Sequence, residues 1–432
     1  MAEKKEYTKD EEIVAAGTVS AEQLTPEEDK RLLRKIDMCL LPVMAFSYMF
    51  QFLDKSALGF TAIMGLREDL RLSGQDFSWA SSIYYFGYLI ASYPAGMIMV
   101  RWKVGKTIAV AVVFWGAMLM LTAATSNAAG LLAVRFLLGA VFLIFGGATV
   151  AWSVGVFFLL PDVPMTAYFL SEEDRAKAVA RVTENQTGIK NNHFKWHQCR
   201  EALLDPKTWF IVLIQTCGNI PNGGIHSFGS IVIEEGLGFD TLPTLLLTSA
   251  SYLSQLILVL LATGGSTYFR NTRTYFMMFN FALAIVGSCM VRQLPPEQKW
   301  SRYGGYCLIL AFSANFPLVM SLASGNFGGF TKKMTVNATS FVVYCAGNII
   351  GPQLFFAREA PKYTSGFMAM IVCFGVGLIS CVLLRVYLAR ENRRRDTLSI
   401  GGDAEAETVD AGLMANLMDK TDKEIPQFRY VY

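Results

Sequence analysis

Four long apolar segments, a polar stretch over residues 161–206, then six more apolar segments: this order constrains the chain more than any other feature. A helix crosses the bilayer in about 20 mainly apolar residues, because the hydrocarbon core is about 30 Å thick and each residue adds about 1.5 Å. The first group reads as spans over 38–60, 78–100 and 107–126 and an unusually long run, Ala129–Leu160. The second reads as 208–233, 243–263, 274–292, 303–325, 335–356 and 367–389. The expected fold class is therefore an all-α, polytopic membrane protein. Charged residues make up 17% of the chain, against about 25% in soluble domains, which agrees with a lipid setting. A net charge of +3 is too small to point to nucleic acid.

Short-loop lysines and arginines set the orientation. With the N-terminus in the cytoplasm, inner loops carry Arg101, Lys103 and Lys106, then Arg270 and Arg273, then Lys332 and Lys333. Arg390, Arg393, Arg394 and Arg395 follow the last span. The layout is then a cytoplasmic tail over 1–36, an N-terminal bundle of four spans over 37–160, and a cytoplasmic central loop over 161–206. A six-span C-terminal bundle over 207–390 and a cytoplasmic tail over 391–432 complete it. The tail from Glu391 onward has no apolar periodicity and is expected to be disordered.

Ionisable groups inside a bilayer cost several kcal/mol unless paired or hydrated, so each is a functional candidate. Asp54 and Lys55 sit late in the first span; they read either as a coupling pair or as an outer-interface pair with Lys55 reaching to water. Arg135, early in the fourth run, either reaches outward to water or offers a planar, permanently charged fork for a carboxylate. Asn219 and Asn222 flank Pro221 ahead of Gly223-Gly224, a combination that loosens a helix and frees backbone groups toward a cavity. Asn348 stands between Gly347 and Gly351-Pro352, and Tyr84 and Tyr85 offer hydroxyls in the second span. His226 reads as a packed histidine. The eight cysteines form no CxxC pair and read as small apolar packing residues. No HExxH, GxSxG, P-loop or GxGxxG is present, so neither an enzyme nor a cofactor is implied, and ATP hydrolysis within the chain is not the expected drive.

Several stretches resemble the major facilitator superfamily, and within it the fungal allantoate permease branch of anion:cation symporters. They include Gln51-Phe52-Leu53-Asp54-Lys55-Ser56, Tyr85-Phe86-Gly87-Tyr88, Tyr93-Pro94-Ala95-Gly96 and Arg135-Phe136-Leu137-Leu138-Gly139. Others are Asp205-Pro206-Lys207-Thr208-Trp209, Asn219-Ile220-Pro221-Asn222-Gly223 and Gly347-Asn348-Ile349-Ile350-Gly351-Pro352-Gln353. The resemblance covers about residues 30–395. It implies two helical bundles rocking about a central site, and proton-driven uptake of a small organic anion, such as an allantoate-, ureidosuccinate- or nicotinate-like carboxylate, at the plasma membrane. The same resemblance implies that Arg135 contacts the carboxylate, that Asp54 helps couple protons, and that the helices carrying Asn222 and Asn348 complete the site; Tyr84 as a substrate contact and Lys55 as the partner of Asp54 are expected from their own chemistry.

One departure matters. Members of this branch carry a glutamate seven residues after the arginine; here position 142 is Phe142. After Gly139 the text passes within three residues into Phe142-Leu143-Ile144-Phe145-Gly146-Gly147, which looks like the sixth helix of the family. Ala129–Leu160 is too long for one ordinary span and too short for two with a turn, which take about 40 residues. The expectation is a major facilitator fold with an incomplete N-terminal bundle, about ten spans instead of twelve. The alternative to a working carrier is a non-transporting membrane remnant, or an incomplete gene model lacking helix five and parts of helices four and six.

Overall fold

The computed structural model describes residues 58–101, most of 117–142, 195–269, 271–399, 420–425 and 428–432, with a few isolated positions before residue 43. Asp54, Lys55, the junction beyond Phe142 and the central loop up to residue 194 lie outside the described residues. Contacts divide the chain into two compact units. One comprises residues 1–55, 90–124 and 137–191, of which stretches of helix are described. The other comprises 56–89, 125–136 and 192–432 and contains the bulk of the described helices.

All regular structure among the described residues is helical. The helices are α1 (Asp76–Arg101), α2 (Ala128–Phe142), α3 (Trp196–Leu204), α4 (Pro206–Ile231), α5 (Thr241–Tyr268), α6 (Arg273–Gln293), α7 (Lys299–Asn326), α8 (Phe330–Gln353) and α9 (Thr364–Ser399). Local chemistry sets several starts. The Asp76 carboxylate accepts from the Ser73 N–H at 3.0 Å and from its hydroxyl at 3.2 Å, the reciprocal half of a capping box. Asp205 caps α4, accepting from the Lys207 N–H at 3.1 Å, and Pro206 takes the first helical position, where no N–H is needed.

Among the described residues, four helices are long and apolar enough to cross a membrane: α5, α6, α7 and α9 as far as Thr397. On α5, Leu242, Leu246, Leu253, Leu256, Leu260 and Leu261 remain exposed, as side chains facing lipid would. Opposite that surface, α6, α7 and α9 bury Phe281, Phe312 and Phe374 against one another, with centroids 6.2 Å (Phe281–Phe374) and 5.5 Å (Phe312–Phe374) apart. α4 and α8 also have spanning length, but polar groups interrupt their apolar runs: Gln215, Asn219 and Asn222 on one, Asn337 and Asn348 on the other.

Those two helices lie backbone against backbone. A Cβ added at Gly347 would stand 2.6 Å from Asn219 Cβ, and one at Gly223 would stand 2.8 Å from Asn348 Cα. One at Gly351 would collide with the Ile220 carbonyl. The Gly347-x-x-x-Gly351 spacing puts both glycines on one face, the small-residue pattern that allows close helix approach in lipid.

The end of the chain departs from expectation. α9 continues to Ser399, past the last apolar residues, and Thr421 and Asp422 are buried. Hydropathy does not register this segment because ion pairs and hydrogen bonds, rather than an apolar stripe, hold it.

Replacing Gly347 or Gly351 with alanine is expected to lower stability by about 1–3 kcal/mol through overpacking, read as a lower melting temperature in detergent. Gly375→Ala, where an added Cβ meets nothing within 4 Å, leaves the melt unchanged or slightly raised.

Candidate functional site

Arg135 lies on α2 and is 6% exposed. Its Nε donates to the Ala80 carbonyl at 3.2 Å, and its guanidinium carbon stands 5.8 Å from the centre of the Tyr84 ring. Among the described residues no carboxylate pairs with it, and α1, α2, α4, α5, α6, α7 and α8 contain no Asp or Glu beyond Asp76 at the start of α1. A permanently charged fork buried with no counter-ion among the described residues is costly, which marks the position as a candidate anion contact.

Aromatic rings connect Arg135 to the C-terminal helices. Tyr84 meets Tyr85 edge-on at 5.1 Å and stacks on Tyr88 at 6.5 Å. Tyr85 and Tyr88 in turn meet Tyr344 of α8, at 5.9 and 6.4 Å. Phe341 packs on Tyr88 at 4.8 Å. The hydroxyls of α1 are thus set in a cage of rings, which orients flat or partly apolar solutes better than open water does.

One turn beyond Tyr344 stands a chain of amides. Asn222 donates from Nδ2 to Asn348 Oδ1 at 2.8 Å. Asn348 donates from Nδ2 to the Tyr344 carbonyl at 2.8 Å and to Asn219 Oδ1 at 3.4 Å. Asn219 donates to the Gln215 carbonyl at 2.8 Å. Asn348 is fully buried and engaged at both ends of its amide; Asn222 is half-buried. The structure therefore brings Arg135, Tyr84, Asn348 and Asn222 into one connected series. Tyr344, which sequence reasoning missed, is the link; its signal was its place four residues before Asn348, on the same helical face. Asp54 and Lys55 lie outside the described residues. His226 stacks over Tyr252 at 6.4 Å, and the seven cysteines among the described residues are free, in keeping with packing roles.

Beyond the site, toward the end that loop charges place outside, α1 and α8 are tied together. Ser82 donates to the Ile349 carbonyl at 2.8 Å and accepts from Gln353 Nε2 at 3.0 Å. Phe77 meets Phe228 edge-on at 5.3 Å, Phe228 stacks on Phe355 at 5.0 Å, and Arg67 pairs with Glu235 at 2.9 Å.

Known proteins match this arrangement. A family model described as Major Facilitator Superfamily matches residues 44–141. Allantoate permease of Saccharomyces cerevisiae is 32% identical over 98% of this chain and 90% of its own. An uncharacterized transporter of Schizosaccharomyces pombe is 32% identical over 95% of this chain and 91% of its own. That second alignment runs over 475 positions while covering 95% of 432 residues, about 410, so about 65 aligned positions have no counterpart here. Among solved structures, the nucleoside transporter NupG superposes with a TM-score of 0.54 at 10% identity, covering 78% of this chain and 96% of its own. A bacterial homologue of the lysosomal transporter Spinster gives 0.51 at 12% identity, covering 80% and 95%. At such identities the structural likeness speaks for the fold alone.

Asn348→Ala removes the partner of Asn222, Asn219 and the Tyr344 carbonyl at once. Buried polar groups left unpaired cost about 1–3 kcal/mol, so the variant should melt lower in detergent, and Asn222→Ala, at the half-buried end, should cost less.

Proposed function

The chain belongs to the major facilitator superfamily, in the branch that contains fungal allantoate permease, and from that membership we propose that it carries a small organic anion into the cell with protons. It is a multi-pass membrane transporter and not an enzyme. The observation that carries the proposal is Arg135: buried, charged, and without a carboxylate partner among the described residues. In this reading its guanidinium takes the substrate carboxylate in a two-pronged hydrogen-bonded pair. Tyr84 lies against the guanidinium and helps hold its plane. Asn222 presents its half-buried amide to the remainder of the solute, and Asn348 holds Asn222 in place. Asp54 with Lys55 receives the proton in the first span. Outer contacts such as Ser82–Ile349 break and re-form as the two bundles alternate. The membrane is the plasma membrane, and the cargo class is that of allantoate-, ureidosuccinate- or nicotinate-like carboxylates.

An uptake screen over labelled carboxylates, in cells lacking their own carriers, tests this. Uptake of one carboxylate should collapse with a protonophore. Arg135→Gln should reduce it by at least about tenfold, the least expected when a buried charge loses its partner. Uptake undiminished in Arg135→Gln overturns the role of Arg135.

A second reading rests on the unmatched positions in the alignment: the chain is a non-transporting remnant, or its message carries a further exon. The proposed place of the gap is the Gly139–Phe142 junction. Sequencing the mature transcript there should reveal either a direct join, as in a remnant, or about 60–70 further codons, enough for a missing span, two half-spans and their loops.

A further inference from the structure

At the end of the bundle that loop charges place in the cytoplasm, two lysines are almost wholly buried: Lys207 on α4 and Lys332 on α8. Lys332 Nζ donates to Glu201 at 2.8 Å, Asp205 at 3.0 Å and Asp422 Oδ1 at 2.7 Å. Lys207 Nζ donates to the Asn326 carbonyl at 3.1 Å and pairs with Asp422 Oδ2. The Gly328 N–H at 3.1 Å and the Tyr430 hydroxyl at 2.7 Å also donate to the Asp422 carboxylate. Burial alone would raise that carboxyl, but Lys207 and Lys332 outweigh it and hold it well below the usual carboxylate range, so it stays charged.

The rest of the tail is held mostly by its backbone. Asn326 donates to the Val431 carbonyl and accepts from the Val431 N–H, both at 2.7 Å. Asn392 does the same for Tyr430, at 2.8 and 2.9 Å. Arg395 donates to the carbonyls of Asp422 and Phe428, each at 3.0 Å, and to the Tyr430 hydroxyl at 2.8 Å. The Tyr430 ring lies 3.9 Å from Lys207 Nζ. Side-chain amides that pair with main-chain groups, an arginine that gathers carbonyls, and one shared seat for an acidic and an aromatic anchor, with Lys207 against both, are how proteins hold peptide ligands.

We propose that the inner ends of α4, α8 and α9, with the turn after α7, form a peptide-binding site for an acidic–aromatic segment, whose resident occupant is this chain's own tail, docked through residues 420–425 and 428–432 as a strap that can be displaced. The site favours a carboxylate because Asp422 is the nearest acidic partner of both buried ammonium groups, and without it Lys207 keeps only Asp205 at 3.5 Å. The strap joins the inner ends of the two helices that carry Asn222 and Asn348, so its release loosens α4 against α8. The proposal does not depend on which solute is transported.

The test uses the full-length chain in detergent and a fluorescent peptide of residues 420–432. Tethering favours the resident tail, so the peptide should bind the unaltered chain weakly. Full-length Asp422→Asn, with a weakened tail, should bind it at least tenfold more tightly, and a peptide carrying Asp422→Asn should not bind. Hydrogen exchange over 326–332 should quicken in Asp422→Asn and slow again on adding the unaltered peptide. Equal peptide affinity for both chains, or quickened exchange that the peptide does not reverse, overturns displacement and leaves the tail a fixed part of the core. If Asp422→Asn fails to fold, Tyr430→Phe, which removes one hydroxyl, takes its place with the same readouts, and unchanged exchange and peptide binding in it overturn the proposal.

Discussion

The close approach of α4 and α8 is the constraint on which the rest depends. Gly223, Gly347 and Gly351 bring the two backbones together, and at that distance Asn222, Asn348 and Asn219 reach one another by hydrogen bonds. In lipid there is little hydrophobic force between helices, so packing through small residues and polar bridges must supply the attraction. Here both occur on the same turn. One of the amides that hold the pair together, Asn348, also donates to the main-chain carbonyl of Tyr344, so helix packing and the candidate site share a residue.

The described part of the molecule carries buried positive charge in two ways. At the inner end, Lys207 and Lys332 are met by Asp205, Asp422 and Glu201. In the middle of the bundle, Arg135 has a carbonyl and a ring but no carboxylate among the described residues. The first arrangement is satisfied by the chain itself and serves to hold elements in place. The second has no such partner among the described residues, which is why the proposed function rests on it.

Much of the helical order was legible. α1 and α4–α8 begin and end within a few residues of the apolar runs, because each run is bounded by Pro, Gly, Asn or charge. Arg135, Asn222 and Asn348 stood out as polar groups in apolar text. Tyr344 did not, since an aromatic within a span looks like packing until its partners are known. The order of the tail was hidden for a plainer reason: an irregular segment held by Asn326, Asn392 and Arg395 has no periodicity to detect.

By itself the sequence determined that the chain lives in a membrane, where most of its described helices run, and that an arginine stands in the fourth apolar run. These are local properties, written in hydropathy and spacing, and a bilayer imposes them on any chain. Tertiary structure decided which polar groups meet. Asn222 and Asn348 are 126 residues apart, Lys332 and Asp422 90 apart, and Ser82 and Ile349 267 apart. Such pairings arise from helices laid side by side at one depth, and no one-dimensional pattern records depth or neighbour.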